Sequence, residues 1–335
     1  MKTIIQITKT GTIFSGLEQD SRNMRTEFNQ KHYLRLPSIL EPSILQYIQP
    51  YIDQAEFNET VNPNGLGLES CIKTNPASHL LHFLTNDKDL YKFIEQVAGC
   101  EKIGCFNGRV YHVTQNHKNY DRWHDDYGST RMIAMSINLS TEIYSGGYLQ
   151  IRDAESKKIL HEVTNTGFGD AIIFRIAPFL DHRVTDVEGK VSKIAFAGWF
   201  QAEPDDQAII KRRFFQLRNN LDGATKIKDK ILNDSMVIAK ERHFSHNLSE
   251  ETVIFKPENT SYYSLDNVGT YIWSLIQNPI SVKEIKASIL NEYRIEQEQC
   301  EEDVDKLLEE LAANELIVVS AKKLTTVTLK DGVRI

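Results

Sequence analysis

The 335-residue sequence predicts an α+β protein in two folded parts: an N-terminal double-stranded β-helix (jelly roll) with flanking helices, and a C-terminal winged-helix-like domain. Three observations carry this expectation. Between residues 131 and 200, short apolar strands follow one another with turns between them, which suits a jelly roll. Segments with apolar residues at helical spacing precede them. After residue 235, two short strands are followed by three amphipathic helices.

Taken in order, Pro42 to Tyr51 reads as a helix burying Ile44, Leu45 and Ile48, and Asp87 to Val97 as a second burying Leu90, Phe93, Ile94 and Val97. Both are expected to pack outside the barrel. Residues 62–67, rich in Asn, Pro and Gly, read as a surface loop. Arg131 to Leu139 alternates, with Ile133, Met135, Ile137 and Leu139 on one side and Ala134, Ser136 and Asn138 on the other, so it reads as a strand. Gly146-Gly147 is a tight turn into the next strand, ending near Ile151. Gly169-Asp170 opens Ala171 to Phe174, His182 begins another segment, and Lys193 to Phe200 is the last apolar strand. Both His124 and His182 therefore fall where strands end. Asp205-Asp206 can cap a helix carrying Ile210, Phe214, Leu217 and Leu221, and Gly223 can close it. These signals place a first domain at 1–222, a linker at 223–235, a second domain at 236–322 and a tail at 323–335.

In the second domain, Glu251 to Pro257 and Thr260 to Asp266 form a hairpin-like pair. The first helix carries Val268, Tyr271, Ile272, Trp273, Leu275 and Ile276. The second starts at a capping box, Ser281 with Glu284, and buries Ile285, Ile289 and Leu290. The third, about Glu301 to Asn314, places Val304, Leu307, Leu308 and Leu311 at helical spacing.

Composition excludes several classes. Residues 236–335 hold eleven Lys and Arg against seventeen Asp and Glu, so a winged-helix reader of nucleic acid lacks its basic footprint. No apolar run reaches the length of a membrane span, and Met1 to Asp20 lacks the hydrophobic stretch of a signal peptide. The four cysteines, Cys71, Cys100, Cys105 and Cys300, form no CxxC pair. A cytoplasmic, reducing location is expected.

The chemistry concentrates in His124, Asp126 and His182. Two imidazoles and one carboxylate make the ligand set of a ferrous-iron site, and three ligands leave coordination positions open for a chelating cosubstrate and dioxygen. Asp125 is the competing carboxylate. Spacing by one residue favours Asp126, because alternate side chains point the same way along a strand. His112, His117 and His161 have no visible partner motif and read as surface or supporting residues.

At this point the order of motifs resembles the iron and 2-oxoglutarate dependent dioxygenases, especially their prolyl-hydroxylase-like branch. The resemblance runs through Arg109-Val110-Tyr111, Trp123 to Asp126, Ser145 to Leu149, Gly169 to Phe174, His182 to Val184 and Lys193 to Phe200. It implies ferrous iron held by His124, Asp126 and His182, with 2-oxoglutarate and dioxygen as cosubstrates. It further implies that Lys193, six residues before Trp199, pairs with the far carboxylate of 2-oxoglutarate; many relatives carry arginine there, and Lys190 competes for the role. Lys193 shares a strand face with Ala195 and Ala197, which leave room for a ligand, and an ammonium there can neutralise a carboxylate. Tyr111 is the candidate for a hydroxyl contact. The implied outcome is hydroxylation, with desaturation or ring formation open. Halogenating relatives leave the Asp126 position to halide.

Residues 236–322 resemble the PqqD family, the peptide-recognition element of pathways that modify ribosomally made peptides. Tyr262 to Asn267, Tyr271-Ile272-Trp273, Ser281 to Glu284, and Glu302 to Leu311 carry this resemblance. It implies that a leader peptide adds as a strand against Ser261, Tyr262, Tyr263, Ser264 and Leu265, facing Val304, Leu307, Leu308 and Leu311 on the third helix. Most of those helical residues are better read as core, because a small domain needs its apolar stripe inside, with only the outer edge of the stripe touching a peptide. Joined, the two resemblances imply an oxygenase acting on a precursor peptide. The alternatives are a hydroxylase of a free amino acid or another protein, and a non-catalytic peptide carrier.

Overall fold

In the computed structural model, the structure describes residues 4–61, 68–115, 122–128, 130–164, 166–202, 231–241, 243–248, 251–257 and 259–320. The expected loop at 62–67, His117, the helix of residues 205–221, linker residues 223–230 and the tail at 323–335 lie outside them. The chain divides into two compact units, residues 1–211 and 212–335.

The first unit runs β1 (Ile5–Thr8), β2 (Gly11–Phe14), α1 (Glu18–Lys31), β3 (Tyr33–Leu36), α2 (Pro42–Asp53), β4 (Phe57–Val61), β5 (Leu68–Ile72), α3 (Pro76–Thr85) and α4 (Lys88–Ala98). It continues through β6 (Cys105–Val113), β7 (Arg131–Asn138), β8 (Ser145–Gly146), β9 (Leu149–Asp153), β10 (Ile159–Val163), β11 (Ala171–Arg175), β12 (Leu180–Val184), β13 (Val187–Glu188) and β14 (Lys193–Gln201). A seven-stranded antiparallel sheet has the order β3-β11-β7-β14-β6-β5-β4, and a smaller one the order β10-β9-β12. Apolar residues of both sheets form one core, including Ala134, Ile172 and Phe174 from the large sheet and Leu149, Ile151 and Leu180 from the small one. This is the expected jelly roll.

Period-two alternation gives β14 two different faces. Phe196 and Phe200 are fully buried with Phe106, whose ring centroid is 5.7 Å and 4.7 Å from theirs. Tyr91 of α4 meets Phe200 edge-on. Lys193, Ala195, Ala197 and Trp199 lie on the other face. Cross-strand partners share a face, so Tyr111 opposite Ala195, Arg109 opposite Ala197, and Asn138, Ser136 and Ala134 of β7 join them.

The helices form where caps and apolar spacing agree. Asn75 caps α3, accepting the Ser78 amide at 3.0 Å ahead of Pro76 in the first turn. Asp87 caps α4, and Gly99, at φ 64°, closes it in the left-handed conformation. Helix α1 is nearly all polar and buries only Ser21 and Phe28, so apolar spacing does not announce it.

Two expectations about the strands are corrected here. His182 lies in the middle of β12 and does not begin a segment. Residues 124–126 are not a strand: His124 makes one isolated antiparallel bridge to His182, and Asp126 has φ 51°.

The second unit contains β15 (Met236–Ala239), β16 (Phe244–Leu248), β17 (Glu251–Lys256), β18 (Ser261–Leu265), α5 (Asn267–Leu275), β19 (Ile280–Ser281), α6 (Val282–Glu292), α7 (Gln297–Ala313) and β20 (Ile317–Ser320). Its sheets have the orders β16-β17-β18 and β19-β15-β20. Asp266 caps α5, and the Ser281–Glu284 capping box starts α6. Packing reaches back to Ile231, inside the expected linker, because its side chain joins this unit's core.

In the first unit, β14 and β6 meet closely where Gly198 faces Gly108. A Cβ on Gly198 would run into the Asn107 carbonyl and the Gly108 backbone, and backbone cannot swing aside. Gly198→Ala is expected to destabilise this unit by roughly 1–3 kcal/mol. Denaturant unfolding of the full chain, followed by tryptophan fluorescence, checks this; a midpoint equal to the parent's would refute it.

Candidate metal centre

The site begins with a backbone register. The His124 amide donates to the His182 carbonyl at 3.1 Å, and the His182 amide donates back at 2.7 Å. Residues paired in this way project to the same side, and the two imidazole centroids lie 4.3 Å apart. Because the Arg122 carbonyl can only accept, its 2.6 Å contact with His124 Nδ1 puts the proton on that nitrogen and leaves Nε2 as a donor atom for a metal.

Asp126 completes the cluster by a left-handed turn. Its Oδ2 lies 3.7 Å from His124 Nε2 and 3.4 Å from His182 Nε2. Ligands about 2.1 Å from one ion and at right angles sit about 3 Å apart, so the spacing fits three positions around a single metal. Among the described residues, His124, Asp126 and His182 form a group able to hold a metal, with ligand atoms within 4.8 Å of one another. Asp125 is committed elsewhere, its Oδ1 accepting the Tyr127 amide at 3.0 Å. Burial opposes ionisation of Asp126, but the adjacent His124 and His182 rings hold its carboxyl well below the usual carboxylate range.

The large sheet supports the carboxylate in a way the sequence reading missed. Trp199 Nε1 donates to Asp126 Oδ2 at 2.8 Å, and Arg131 donates to Oδ1 at 3.2 Å. The Arg131 guanidinium also stacks over the Trp199 ring at 3.8 Å. The alternation of β14 already put Trp199 on the Lys193 face, and that was the available signal.

Lys193, half-buried, donates to the Gly147 carbonyl at 2.7 Å and lies 5.9 Å from the centroid of Tyr144. Lys190 is exposed in the turn after β13. Tyr111 is half-buried on the site face, between Ala195 of β14 and Cys71 of β5. The other described histidines stand outside the cluster: His112 packs on Phe57, and His161 on Tyr33.

In the second unit β18 ends its sheet, and among the described residues no strand pairs with its outer edge. Ser261, Tyr262, Tyr263 and Ser264 are half-buried, while Leu265 is buried. Three of the four helical residues expected to face a peptide are corrected: Val304, Leu308 and Leu311 are 1%, 0% and 3% exposed in the core. Leu307 is only partly buried, at the margin of that core with Tyr263. A domain this small needs most of its apolar stripe inside.

A jelly roll with a His-Asp-His cluster between its sheets belongs, by fold and site, with the metal-dependent oxygenases. Residues 109–201 match the 2OG-Fe(II) oxygenase superfamily, and residues 251–317 match Coenzyme PQQ synthesis protein D (PqqD). The chain thus joins a 2OG-Fe(II) oxygenase domain, whose cofactors are iron and 2-oxoglutarate, to a PqqD domain. No curated protein matches the chain. Among solved structures, it is similar to a 2OG-Fe(II) oxygenase family oxidoreductase from Burkholderia pseudomallei, with 13% identity, TM-score 0.42, and coverage of 59% of this chain and 96% of that one. It is also similar to a Pseudomonas putida prolyl-4-hydroxylase, with 13% identity, TM-score 0.41, and coverage of 55% and 100%. A structure described as TbiB1 in complex with the TbiA(beta) leader peptide has 30% identity, TM-score 0.23, and coverage of 24% and 93%.

Trp199→Phe keeps an aromatic ring under Arg131 and removes the donor to Asp126. Its expected effect is a roughly 10-fold loss of divalent-metal affinity, in line with other supporting partners of metal ligands. Titration with Mn2+ checks this, and an unchanged affinity would show that the hydrogen bond does not hold the carboxylate in place.

Proposed function

We propose that the chain is an iron- and 2-oxoglutarate-dependent oxygenase that hydroxylates a side chain of a ribosomally made precursor peptide, captured through its leader by the C-terminal domain. The observation that carries this reading is the presence, on one chain, of an oxygenase domain with a complete His-Asp-His donor set and a PqqD domain whose strand β18 ends its sheet among the described residues. In this reading His124, Asp126 and His182 hold the iron and Lys193 anchors the far carboxylate of 2-oxoglutarate. When bound, iron and 2-oxoglutarate supply the oxidation: dioxygen is cleaved, succinate and carbon dioxide are released, and one oxygen atom enters a substrate C–H bond.

The chain's own residues do the rest. Lys193 has its ammonium fixed by the Gly147 carbonyl, so a carboxylate arriving there meets an oriented charge. Ala195 and Ala197 keep the adjoining floor low, and Tyr111 beside Ala195 offers a hydroxyl. Apolar Ile151 and Phe174 back His182 and keep water from that side. In the C-terminal domain, main-chain groups of β18 supply affinity for an added strand, with Tyr263 and Leu307 as side-chain contacts. No helix among the described residues is long and apolar enough to cross a membrane. With no disulfide among the four cysteines, a reducing cytoplasmic location fits.

Three tests follow. His124→Ala and His182→Ala should each abolish conversion of 2-oxoglutarate to succinate with the fold retained by circular dichroism; undiminished turnover in either variant would remove that residue from the metal set. Lys193→Ala should weaken 2-oxoglutarate binding by about 2–3 kcal/mol, as for a lost charge-assisted contact, and Lys190→Ala should do little. The reverse outcome would transfer the anchor to Lys190. A synthetic leader lacking its core, from a short open reading frame beside this gene, should inhibit modification of the full precursor by raising the apparent KM while kcat stays constant. Modification indifferent to excess leader would instead favour a substrate recognised by the oxygenase domain alone.

A further inference from the structure

The residue before His124 carries an arrangement that the proposed chemistry does not use. Where His124 faces His182 across the bridge, Trp123 faces Arg183 on the opposite surface of the small sheet, because successive side chains alternate. There the Trp123 ring has the Arg152 guanidinium 4.3 Å from its centroid and that of Arg183 4.8 Å away. Both arginines are themselves tied down. Arg152 pairs with Asp181 at 2.7 Å; Arg183 donates to Gln150 at 2.8 Å, and Gln150 donates to Glu162 at 2.6 Å. Gln150 and Arg152 on β9 face Arg183 and Asp181 on β12, so this polar network covers the surface turned away from the His182 imidazole.

Among the described residues, two backbone hydrogen bonds between His124 and His182 make the bridge. Strand pairing of this kind gains stability from packing beside it. The aromatic contact on the outer surface adds a second attachment one residue away. We infer that Trp123 is a positioning residue: held against Arg152 and Arg183 on the outer surface of the small sheet, it keeps the bridge closed and so keeps the His124 imidazole in the metal set. The inference rests on reading His124 as a ligand.

The test is Mn2+ titration of the full chain, read from the electron paramagnetic resonance signal of the free ion, with circular dichroism reporting the fold. Trp123→Ala should lower Mn2+ affinity about 10- to 100-fold, the range for partners that orient a metal ligand. Trp123→Phe, which keeps an aromatic face for the guanidinium groups, should stay within about 3-fold of the parent. His124→Ala is the reference and should remove the site. A folded Trp123→Ala chain with parental affinity would overturn the inference, as would a Phe variant as weak as the Ala variant. If Trp123→Ala does not fold, the double variant Arg152→Gln with Arg183→Gln leaves the ring in place and removes both cations. Parental Mn2+ affinity in that variant overturns the inference; a loss supports it. Parental affinity in His124→Ala would overturn the ligand assignment itself, an outcome distinct from failure at Trp123.

Discussion

The pair of hydrogen bonds joining His124 to His182 is the constraint on which the candidate site depends. It fixes register, and register brings two imidazoles from distant parts of the chain to one side of the small sheet. The carboxylate arrives differently. Asp126, two residues on, turns through the left-handed region, where a non-glycine residue is strained and persists only when surrounding contacts hold it. Those contacts come from the large sheet, as Trp199 and Arg131 take one carboxylate oxygen each. The cluster is therefore shared: β12 of the small sheet supplies His182, the segment bridged to it supplies His124 and Asp126, and the large sheet holds the acidic one in position. The donor set needs both sheets in place.

The same economy appears along β14. Its Phe196 and Phe200 anchor the aromatic core beneath the helices, while Lys193, Ala195, Ala197 and Trp199 share the opposite face, from which Trp199 reaches Asp126. A one-residue slip would exchange these faces, burying an ammonium among phenylalanines and turning Trp199 away from Asp126. Burying an unpaired charge costs far more than any surface contact returns, so hydrophobic packing of one face enforces the chemistry of the other.

Much of this was legible in the sequence because period-two alternation is a local signal. The two faces of β7 and β14, and with them the position of Lys193, follow from the order of apolar and polar residues alone. The α4 stripe and the Ser281–Glu284 capping box are equally local. Asp126 is different: strand alternation favours it over Asp125, yet the structure brings it in by a left-handed turn, and backbone conformation of that kind leaves no periodic trace. Helix α1 escaped because its apolar stripe is almost absent, and the hairpin of β4 and β5 because its role as the far edge of a seven-stranded sheet is a tertiary fact. The stripe of α7 was visible as a stripe, but apolar spacing cannot distinguish a core face from a binding face. Only Leu307, at its margin, stays accessible.

The composition of the site floor gives a physical reason for a second domain. Ala195, Ala197 and Ser136 at its middle offer little beyond methyl and hydroxyl groups, with Tyr111, Arg109 and Asn138 beside them, and the cationic Lys193 and Arg131 have neighbours of their own in Gly147 and Asp126. A surface of that kind accommodates a side chain without reading much of the sequence around it, since discrimination needs positioned groups that are left unsatisfied by the wrong partner. Under the proposed function, discrimination moves to the strand edge of the C-terminal domain, where main-chain pairing supplies affinity and side-chain contacts supply selection. Tethering then raises the local concentration of whatever peptide is captured, so the oxygenase domain can bind its reacting residue weakly and release it once modified. Under that reading the oxygenase domain need not recognise the surrounding peptide sequence itself.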